Sequence, residues 1–347
     1  MTQYIDLRSD TVTQPNNQMK QFMFDAPIGD DVYGEDPSVN LLEEKASSIF
    51  GKEDALFVSS GTMANLISVL SHCQRGDEIL LGDQSHIFKY EAGGTSVLGG
   101  VHSHQLVNNE NGTIDIDKII AAVNNTQDTH YALTKLLCLE NTHNRCYGAA
   151  INNEYFADVK KAIKEHGIKL HIDGARIFNA SVALNVNLDV LTQDADSISC
   201  CLSKGLSCPA GSLIIGNKNF IAKARRLRKM LGGGMRQAGI LAAAGIYALD
   251  HTIERLKDDH NNAQELASGI SEISNIEIDL NKISTNLIFF KLQDDSITDS
   301  EFIQKLKKYN IKIDDRGNRL FRMATHSDFT NNDIEKVIKT FKLILMK

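Results

Sequence analysis

Short runs of apolar residues recur along the first two-thirds of the chain and predict buried β-strands. The runs are continuously apolar or β-branched, which is typical of strands that are covered on both faces. Segments with a helical hydrophobic period lie between several of them. This alternation predicts an α/β fold with a mostly parallel central sheet and helices on both faces. The predicted strands are Ala55–Val58, Glu78–Leu81, Lys135–Leu139, Ile168–Ile172, Ser197–Leu202 and Ser212–Ile215, and the helices between them include Thr62–Cys73, Ile116–Val123 and Asn153–Glu165.

The pattern changes at an alanine-rich segment, Ile240–Leu256, which predicts one long helix. We therefore predict a large domain over residues 1–249, including the N-terminal segment, and a smaller C-terminal α/β domain over residues 250–347, hinged at that helix. The predicted elements of the smaller domain are the strands Ile276–Leu280, Asn286–Lys291, Ile311–Ile313 and Leu320–Met323 and the helices Ala263–Ile273, Ser300–Tyr309 and Asn331–Leu345.

Charge and apolar stretches limit the partners of the chain. A formal net charge of -7 argues against binding of a nucleic-acid backbone, which requires a basic surface. The longest apolar stretch, Gly239–Leu249, is too short to span a bilayer, and the polar N-terminus has no apolar core of a signal peptide. Together with six cysteines that form no CxxC pair, these features predict a cytoplasmic protein with no nucleic-acid or membrane partner.

Two neighbouring histidines raise the question of a metal. The alternation of a strand places His102 and His104 on one face. No pair of carboxylates is expected close to them, so the sequence predicts no metal site.

Three polar motifs each follow a predicted buried strand, where ligands bind in sheets of this kind. The first, Ser59-Ser60-Gly61-Thr62, precedes a helix. Its glycine lets the backbone approach an anion closely, and the free N–H groups of the helix start point at that anion. The motif therefore fits a phosphate monoester, although a serine that only caps the helix has the same pattern.

The second and third motifs carry an aspartate and a lysine. Asp173 can pair with a ring nitrogen and keep it protonated, as pyridoxal chemistry requires; alternatively, it caps a helix and pairs with Arg176. Lys204 lies between small residues, where partial burial favours a neutral, nucleophilic amine; alternatively, its side chain extends to the surface. His86, after another strand, can stack on the flat face of a pyridine ring or serve as a structural histidine.

The order of these motifs is more informative than any one of them. A phosphate loop, then Asp173, then Lys204 is the order expected of a pyridoxal-phosphate enzyme with an aspartate-aminotransferase-like fold. Longer motifs run in order from residue 5 to about residue 245, with one more in the smaller domain. They are Ile5 to Thr13, Gly29 to Pro37, Ser60 to Asn65, Glu91 to Gly94, Leu139 to His143, His171 to Arg176, Cys201 to Leu206, Gly232 to Gln237 and Arg322 to His326.

This series resembles the L-threonine aldolases, and most of all their low-specificity branch, a family of fold-type I pyridoxal-phosphate enzymes. The resemblance implies that Lys204 carries the Schiff base with pyridoxal 5'-phosphate, that Asp173 faces the pyridine nitrogen and that His86 stacks on the ring, with Arg176 also at the cofactor. It implies that the phosphate is held by Ser60, Gly61 and Thr62, helped by Lys229 or Arg236 from a neighbouring subunit.

The same resemblance implies a substrate and a reaction. Ser9, Arg176 and Arg322 would bind the substrate carboxylate, and Tyr90 would lie near the substrate. His130 matches a family histidine near the substrate hydroxyl. The implied reaction is retro-aldol cleavage of L-threonine, L-allo-threonine and other β-hydroxy-α-amino acids to glycine and an aldehyde, with His86, His130 or an ordered water as the base. The implied assembly is a homotetramer of two dimers with shared active sites.

Other functions use some of the same residues. An aminotransferase or a β-eliminating lyase of the same fold type would need the same lysine, aspartate and phosphate loop. A non-enzymatic α/β module with a phosphate site would need only the loop. A nicotinamide dehydrogenase is disfavoured because no GxGxxG motif opens a helix after a first strand. Release of an aldehyde from threonine without an added keto acid separates the aldolase from the aminotransferase.

Overall fold

The computed structural model describes residues 4–346; residues 1–3 and 347, at the outer ends of the two predicted domains, lie outside this range. The strands form a large sheet, a smaller sheet and a two-stranded pair. In chain order they are β1 (Ile5–Asp6), β2 (Asp54–Val58), β3 (Glu78–Gly82), β4 (His102–Leu106), β5 (Thr134–Glu140), β6 (Lys169–Asp173), β7 (Ser197–Cys201), β8 (Ser212–Gly216), β9 (Ile276–Glu277), β10 (Leu287–Leu292), β11 (Ile311–Lys312), β12 (Asp314–Asp315) and β13 (Leu320–Ala324).

Helices cover both faces of the large sheet and one part of the smaller one. They are α1 (Asn17–Phe24), α2 (Pro37–Ile49), α3 (Gly61–His72), α4 (His86–Lys89), α5 (Gly94–Val97), α6 (Ile116–Ala121), α7 (Asn153–Lys164), α8 (Ile177–Leu184), α9 (Leu188–Leu191), α10 (Lys218–Met230), α11 (Gly239–His251), α12 (Leu256–Ser271), α13 (Asp299–Lys308) and α14 (Asn331–Leu345). Within residues 4–346, no helix combines the length and the apolar composition needed to cross a bilayer.

The large sheet has the strand order β2-β8-β7-β6-β5-β3-β4. The strands from β7 to β4 pair in parallel, and β8 runs antiparallel to both of its neighbours. All strands other than β8 therefore end at the same edge of the sheet. This is the edge at which the sequence predicts the ligand-binding residues.

Apart from the edge strand β4, alternate residues of the strands in the large sheet are buried on opposite faces, which explains the apolar runs in the sequence. In β2, Ala55 and Phe57 belong to the core formed with α2, α7 and α11. Leu56 and Val58 pack on the other side with residues of α3 and α10. The predicted fold class, α/β with a mostly parallel sheet between two helical layers, is confirmed.

The C-terminal part of the chain has a second hydrophobic core. An antiparallel sheet in the order β12-β13-β10-β9 packs with α12, α13 and α14. Leu7 is buried in this core, and β1 pairs in parallel with β11. The N-terminal strand therefore joins the smaller unit, although the sequence grouped it with the large one. The division near residue 250 stays a prediction, which the two separate cores support.

Two predicted elements are shorter in the structure. The segment Ile240–Leu256 is not one helix: α11 ends at His251, and α12 begins at Leu256 after a turn. The turn contains Thr252 and Ile253, whose β-branched side chains lower helix propensity. The predicted strand Ile276–Leu280 ends at Glu277, because the side chain of Asp279 accepts a hydrogen bond from Asn281 N and starts a 3-10 helix there.

Candidate active site

A cavity of about 210 Å³ lies at the edge where the parallel strands end. Glu140 is the last residue of β5 and Lys204 follows β7, and these two strands lie on either side of β6 and end at the same edge of the sheet. The sequence-predicted residues Ser9, His86, Tyr90, Arg176, Lys204 and Arg322 all line this cavity. The complete lining is Ser9, Thr11, His86, Tyr90, Glu140, Asn144, Ala175, Arg176, Lys204, Arg316 and Arg322.

The backbone at Lys204 is fixed by hydrogen bonds to its own carbonyl. Thr13 Oγ1 donates to Lys204 O over 2.9 Å, and Ser207 N donates to the same oxygen over 2.8 Å. The first bond comes from a residue far away in the sequence, so the N-terminal segment helps to hold the loop after β7. The amine of Lys204 is thereby presented to the cavity from a fixed backbone.

Asp173 ends β6 and is 2% exposed. Its Oδ1 accepts a hydrogen bond from Ala175 N at 3.2 Å, and its Oδ2 accepts one from Asn65 Nδ2 at 2.9 Å. No lysine or arginine in the range 4–346 forms an ion pair with it. A buried carboxylate whose hydrogen-bond donors are neutral favours a cationic partner, so the site fits a protonated pyridine nitrogen.

Asn65 connects Asp173 to a second buried carboxylate. Its Nδ2 group also donates to Glu91 Oε1 over 2.8 Å. On the other side, Asn65 Oδ1 accepts from Ser199 Oγ at 2.7 Å and lies 3.2 Å from His171 Nε2. Burial lowers the pKa of His171 to about 4, so this imidazole is neutral and donates to Asn65. The amide is thus held in one orientation, with its donor side toward the two carboxylates.

His86 adjoins this network and lies close to three carboxylates, those of Asp173, Glu91 and Glu140. Its Nδ1 donates to Glu91 Oε1 over 2.9 Å, and its backbone N–H donates to Glu140 Oε2 over 2.7 Å. Burial by itself lowers the pKa of His86, but the hydrogen bond to Glu91 and the negative charges of Asp173, Glu91 and Glu140 outweigh burial and raise it above the ordinary histidine value. The pKa of Glu91 is also raised, and there burial is the main cause.

Replacement of Glu91 with glutamine should lower the pKa of His86. Glutamine keeps an oxygen for Asn65 and His86, so the change removes mainly the negative charge that favours the imidazolium. The protonated His86 stabilises the folded state at pH values below the ordinary histidine pKa. This stabilisation is lost as the pH rises through the raised pKa of His86. An NMR titration of the His86 ring in the cofactor-free protein measures the shift, with the exposed Glu265→Gln as control. An unchanged His86 pKa in Glu91→Gln would refute the assignment.

The arginine predicted to bind substrate carboxylate, Arg176, is anchored by Asp10. Its Nε and Nη2 groups donate to the two Asp10 oxygens, each over 2.7 Å, and both side chains are buried. Burial opposes ionisation of Asp10, but the charge and hydrogen bonds of Arg176, together with the charge of Lys204, hold the pKa of Asp10 well below its usual range. Among residues 4–346, Arg176 Nη1 has a single long contact, of 3.5 Å with Asn144 Oδ1.

Two more guanidinium groups line the same cavity. Arg322 Nη1 donates to Asn144 Oδ1 over 2.6 Å, and Arg316 Nη1 donates to Tyr90 Oη over 3.2 Å. Burial and the positive charges of Arg176 and Arg316 lower the pKa of Arg322 to about 10. The Nε groups of Arg316 and Arg322 are buried and have no hydrogen-bond partner within residues 4–346. Such a cluster fits an anionic ligand group.

The predicted phosphate loop lies at the start of α3. Ser60 Oγ accepts from Met63 N at 3.2 Å and caps the helix. In the described part of the chain, no acceptor bonds the N–H groups of Gly61 and Thr62. A Cβ atom on Gly61 would lie 2.7 Å from Cys201 Sγ, so only glycine lets the helix begin this close to the end of β7. The loop therefore fits an anion such as a phosphate.

Three predicted residues lie away from the cavity within one chain. Lys229 is exposed and lies beside Gly234 on the surface. Arg236 is also exposed, and its Nη1 donates to Asp30 Oδ2 over 2.9 Å. His130 lines a different cavity at the opposite end of the strands. Their predicted contacts with cofactor or substrate therefore require a second copy of the chain.

The sequence missed several residues that build the site. Asn65 and Glu91 lie inside motifs that were recognised, but no role was predicted for them. Asp10, Asn144 and Arg316 were also missed, although the first two belong to or adjoin recognised motifs. Arg316 lies outside every motif, and its only signal is its place shortly before Arg322 in the smaller unit.

The chain is similar to known proteins over nearly its whole length. Residues 6–293 match the β-eliminating lyase family. Low-specificity L-threonine aldolase 1 of Arabidopsis thaliana is 45% identical over 345 residues, covering 99% of this chain and 96% of the plant protein. The low specificity L-threonine aldolase of Escherichia coli K12 is 43% identical over 343 residues, covering 99% of this chain and 100% of the bacterial protein.

Solved structures support the fold. Threonine aldolase of Leishmania major superposes with a TM-score of 0.83 at 19% identity, covering 98% of this chain and 99% of that one. The predicted fold-type I architecture is thereby confirmed. The chain therefore belongs to the β-eliminating lyase family, and its full-length similarity places it among the low-specificity L-threonine aldolases.

Proposed function

We propose that this protein is a pyridoxal-phosphate-dependent lyase that cleaves L-threonine, L-allo-threonine and related β-hydroxy-α-amino acids to glycine and an aldehyde. The observation that carries the proposal is a single small cavity in which the amine of Lys204 meets three guanidinium groups. The amine serves the cofactor and the guanidinium groups serve an amino-acid carboxylate. The names of the relatives, low-specificity L-threonine aldolases, support the choice of substrate.

The residues present fit pyridoxal phosphate at three points. Lys204 offers an amine for covalent attachment, Asp173 offers a buried carboxylate that favours a cationic ring nitrogen, and the start of α3 offers unpaired N–H groups for the phosphate. The bound cofactor supplies an electron sink that accepts the electron pair released when the Cα–Cβ bond breaks. His86 contributes an aromatic face beside the cavity.

The arginines orient the substrate. Arg322, with Arg176 Nη1 and Ser9, is placed to bind the carboxylate, and Arg316 adds positive charge at the same wall. Fixing the carboxylate fixes rotation about the Cα bonds, so that the Cα–Cβ bond can be held perpendicular to the conjugated ring. Positioning of this kind can contribute several kcal/mol, about 7 or more in the best intramolecular cases.

His86 is the base that the geometry of one chain favours. It lines the cavity with Lys204, whereas His130 lies at the far end of the sheet. Nδ1 of His86 is engaged by Glu91, which leaves Nε2 to accept a proton from the β-hydroxyl, directly or through a water. Because the pKa of His86 is raised, the ring accepts a proton only above that value. His130 remains the candidate that a second subunit would contribute.

A second copy of the chain completes the phosphate site in this proposal. Exposed apolar side chains adjoin the two basic residues that face away from the cavity. Tyr33 is 74% exposed and Met230 is 77% exposed. Arg236 packs over the Tyr33 ring, and Lys229 precedes Met230. A neighbouring subunit that covers these side chains would receive Lys229 or Arg236 at its own phosphate loop. A tetramer built from two such dimers and a cytoplasmic location stay predictions.

The proposed reaction predicts aldehyde release without a second substrate. Purified protein reconstituted with pyridoxal phosphate should release acetaldehyde and glycine in equal amounts from L-threonine alone. An alcohol dehydrogenase coupled to NADH oxidation measures the acetaldehyde, and amino-acid analysis measures the glycine. A requirement for a keto acid would instead indicate an aminotransferase, and release of ammonia with 2-oxobutanoate would indicate a β-eliminating lyase; either result would overturn the proposal.

A further inference from the structure

Two arginines converge on one side chain of the active-site cavity. Arg145 Nη1 donates a hydrogen bond to Tyr90 Oη over 2.6 Å, and Arg316 Nη1 donates to the same oxygen over 3.2 Å. Tyr90 and Arg316 line the cavity, and Arg145 directly follows Asn144, which also lines it. Both guanidinium groups therefore reach the wall of the cavity that Tyr90 forms.

The positive charge at this wall exceeds the negative charge that pairs with it. Asp314 forms ion pairs with Arg316 at 2.7 Å and with Arg322 at 3.1 Å, so one carboxylate serves two guanidinium groups. Over residues 4–346, no carboxylate lies within ion-pair distance of Arg145, whose bond to Tyr90 is made to a hydroxyl oxygen. Three guanidinium groups thus share one carboxylate. A substrate with a single carboxylate balances only one of the two remaining charges.

Both arginines are held in place and keep donors for a ligand. Arg145 Nε donates to Gln84 Oε1 over 2.9 Å, which fixes the guanidinium group without a counter-charge. The side chain of Arg316 is 12% exposed, and its Nε has no hydrogen-bond partner within the described range 4–346. Guanidinium groups that are already fixed suit the planar, two-oxygen geometry of a carboxylate.

The neighbours of Tyr90 assign this wall to the substituent on Cβ of the substrate. The ring centroids of Tyr90 and His86 are 5.4 Å apart. Because His86 is the proposed base for the β-hydroxyl, Cβ has to lie beside it. The carboxylate on Cα belongs on the other side, at Arg322 and Arg176, whose Nη1 groups both contact Asn144. A group attached to Cβ therefore extends toward Tyr90 and its two arginines.

We propose that this protein cleaves β-hydroxy-α-amino acids that carry a second carboxylate on Cβ, and that Arg145 and Arg316 bind this carboxylate. The inference rests on the proposed retro-aldol function and names a substrate class for it. The smallest such compound is 3-hydroxyaspartate. Its cleavage breaks the Cα–Cβ bond, the β-hydroxyl gives its proton to the base, and Cα keeps the electron pair and takes up a proton. The products are glycine and glyoxylate, and no other reactant is consumed.

Binding of two matched amino acids tests the carboxylate subsite apart from cleavage. L-Aspartate carries the second carboxylate but no β-hydroxyl, so it cannot undergo retro-aldol cleavage, and L-asparagine is its neutral isostere. Absorbance titration of the holoenzyme gives the Kd of each. We expect aspartate to bind at least roughly 10-fold more tightly than asparagine, because charge-assisted hydrogen bonds are stronger than neutral ones.

Arginine variants link this preference to the two side chains. The preference for aspartate should persist in Arg75→Gln, which changes an exposed arginine elsewhere. It should fall in Arg145→Gln and disappear in the double variant Arg145→Gln/Arg316→Gln. Equal affinity of the wild type for aspartate and asparagine would overturn the proposal. An undiminished preference in Arg145→Gln and the double variant would overturn it as well.

Cleavage rates separate this inference from the proposed function. Glyoxylate is measured with lactate dehydrogenase and acetaldehyde with alcohol dehydrogenase, both coupled to NADH oxidation. The ratio of kcat/KM for 3-hydroxyaspartate to kcat/KM for L-threonine should fall at least roughly 10-fold in Arg145→Gln and stay constant in Arg75→Gln. An equal fall for both substrates would show a structural role only and refute the subsite. Failure of the wild type to cleave threonine would instead refute the proposed function, whereas threonine cleavage without any preference for aspartate refutes the subsite alone.

Discussion

Replacement of Lys204 with alanine should abolish threonine cleavage while leaving the fold intact. The side chain of Lys204 lines the cavity, but the bonds that hold its loop use its backbone carbonyl, which alanine keeps. The variant therefore loses the amine that attaches the cofactor and can exchange with the substrate amine. We expect a loss of kcat on the order of 10⁴-fold or more, as for other enzymes that lose their covalent nucleophile.

Two measurements give this prediction a sharp outcome. Acetaldehyde release measures the rate, and borohydride reduction followed by mass spectrometry identifies the modified lysine, which should be Lys204 in the wild type. Lys218→Ala, on the first turn of α10, is a matched control that should retain activity and Lys204 labelling. Comparable turnover in Lys204→Ala, or reductive labelling of a different lysine in the wild type, would show that another amine attaches the cofactor.

The location of the chemical residues could be predicted from the sequence because sheet topology limits where they lie. Continuous apolar runs indicate parallel strands, and the carboxyl ends of such strands meet at one edge. Ser60 to Thr62, Asp173 and Lys204 each follow such a run, so their convergence needed no knowledge of long-range contacts. The fold class followed from the same runs.

Partners brought together by pairing of distant segments could not be predicted in this way. Asp10 bonds Arg176, and Glu78 faces His102, only because the folded chain joins parts that are far apart in sequence. Arg316 reaches the cavity from the smaller unit. The break between α11 and α12 was missed because apolar periodicity continues across it and only weak propensities mark it.

The electrostatic character of the site likewise depends on packing. A carboxylate at a strand end is compatible with a helix cap or with a cofactor contact, and the sequence left both open for Asp173. Burial to 2% exposure, with an amide and a backbone N–H as its donors, favours the cofactor contact. The expected helix-cap partner, Arg176, is bound by Asp10 instead.

Replacement of Asp173 with asparagine should therefore lower the rate steeply without loss of the cofactor. Asparagine fills the same space and keeps one oxygen that can accept from either Asn65 or Ala175, but the second acceptor and the negative charge that keeps the ring nitrogen protonated are gone. Loss of one preorganised electrostatic contact commonly costs roughly 10²–10³-fold in kcat, and a neutral pyridine is a poorer electron sink. The rate of acetaldehyde release and the cofactor content per chain are compared with those of Asp189→Asn, an exposed control. Full cofactor content with an unchanged rate would show that this charge has no part in the reaction.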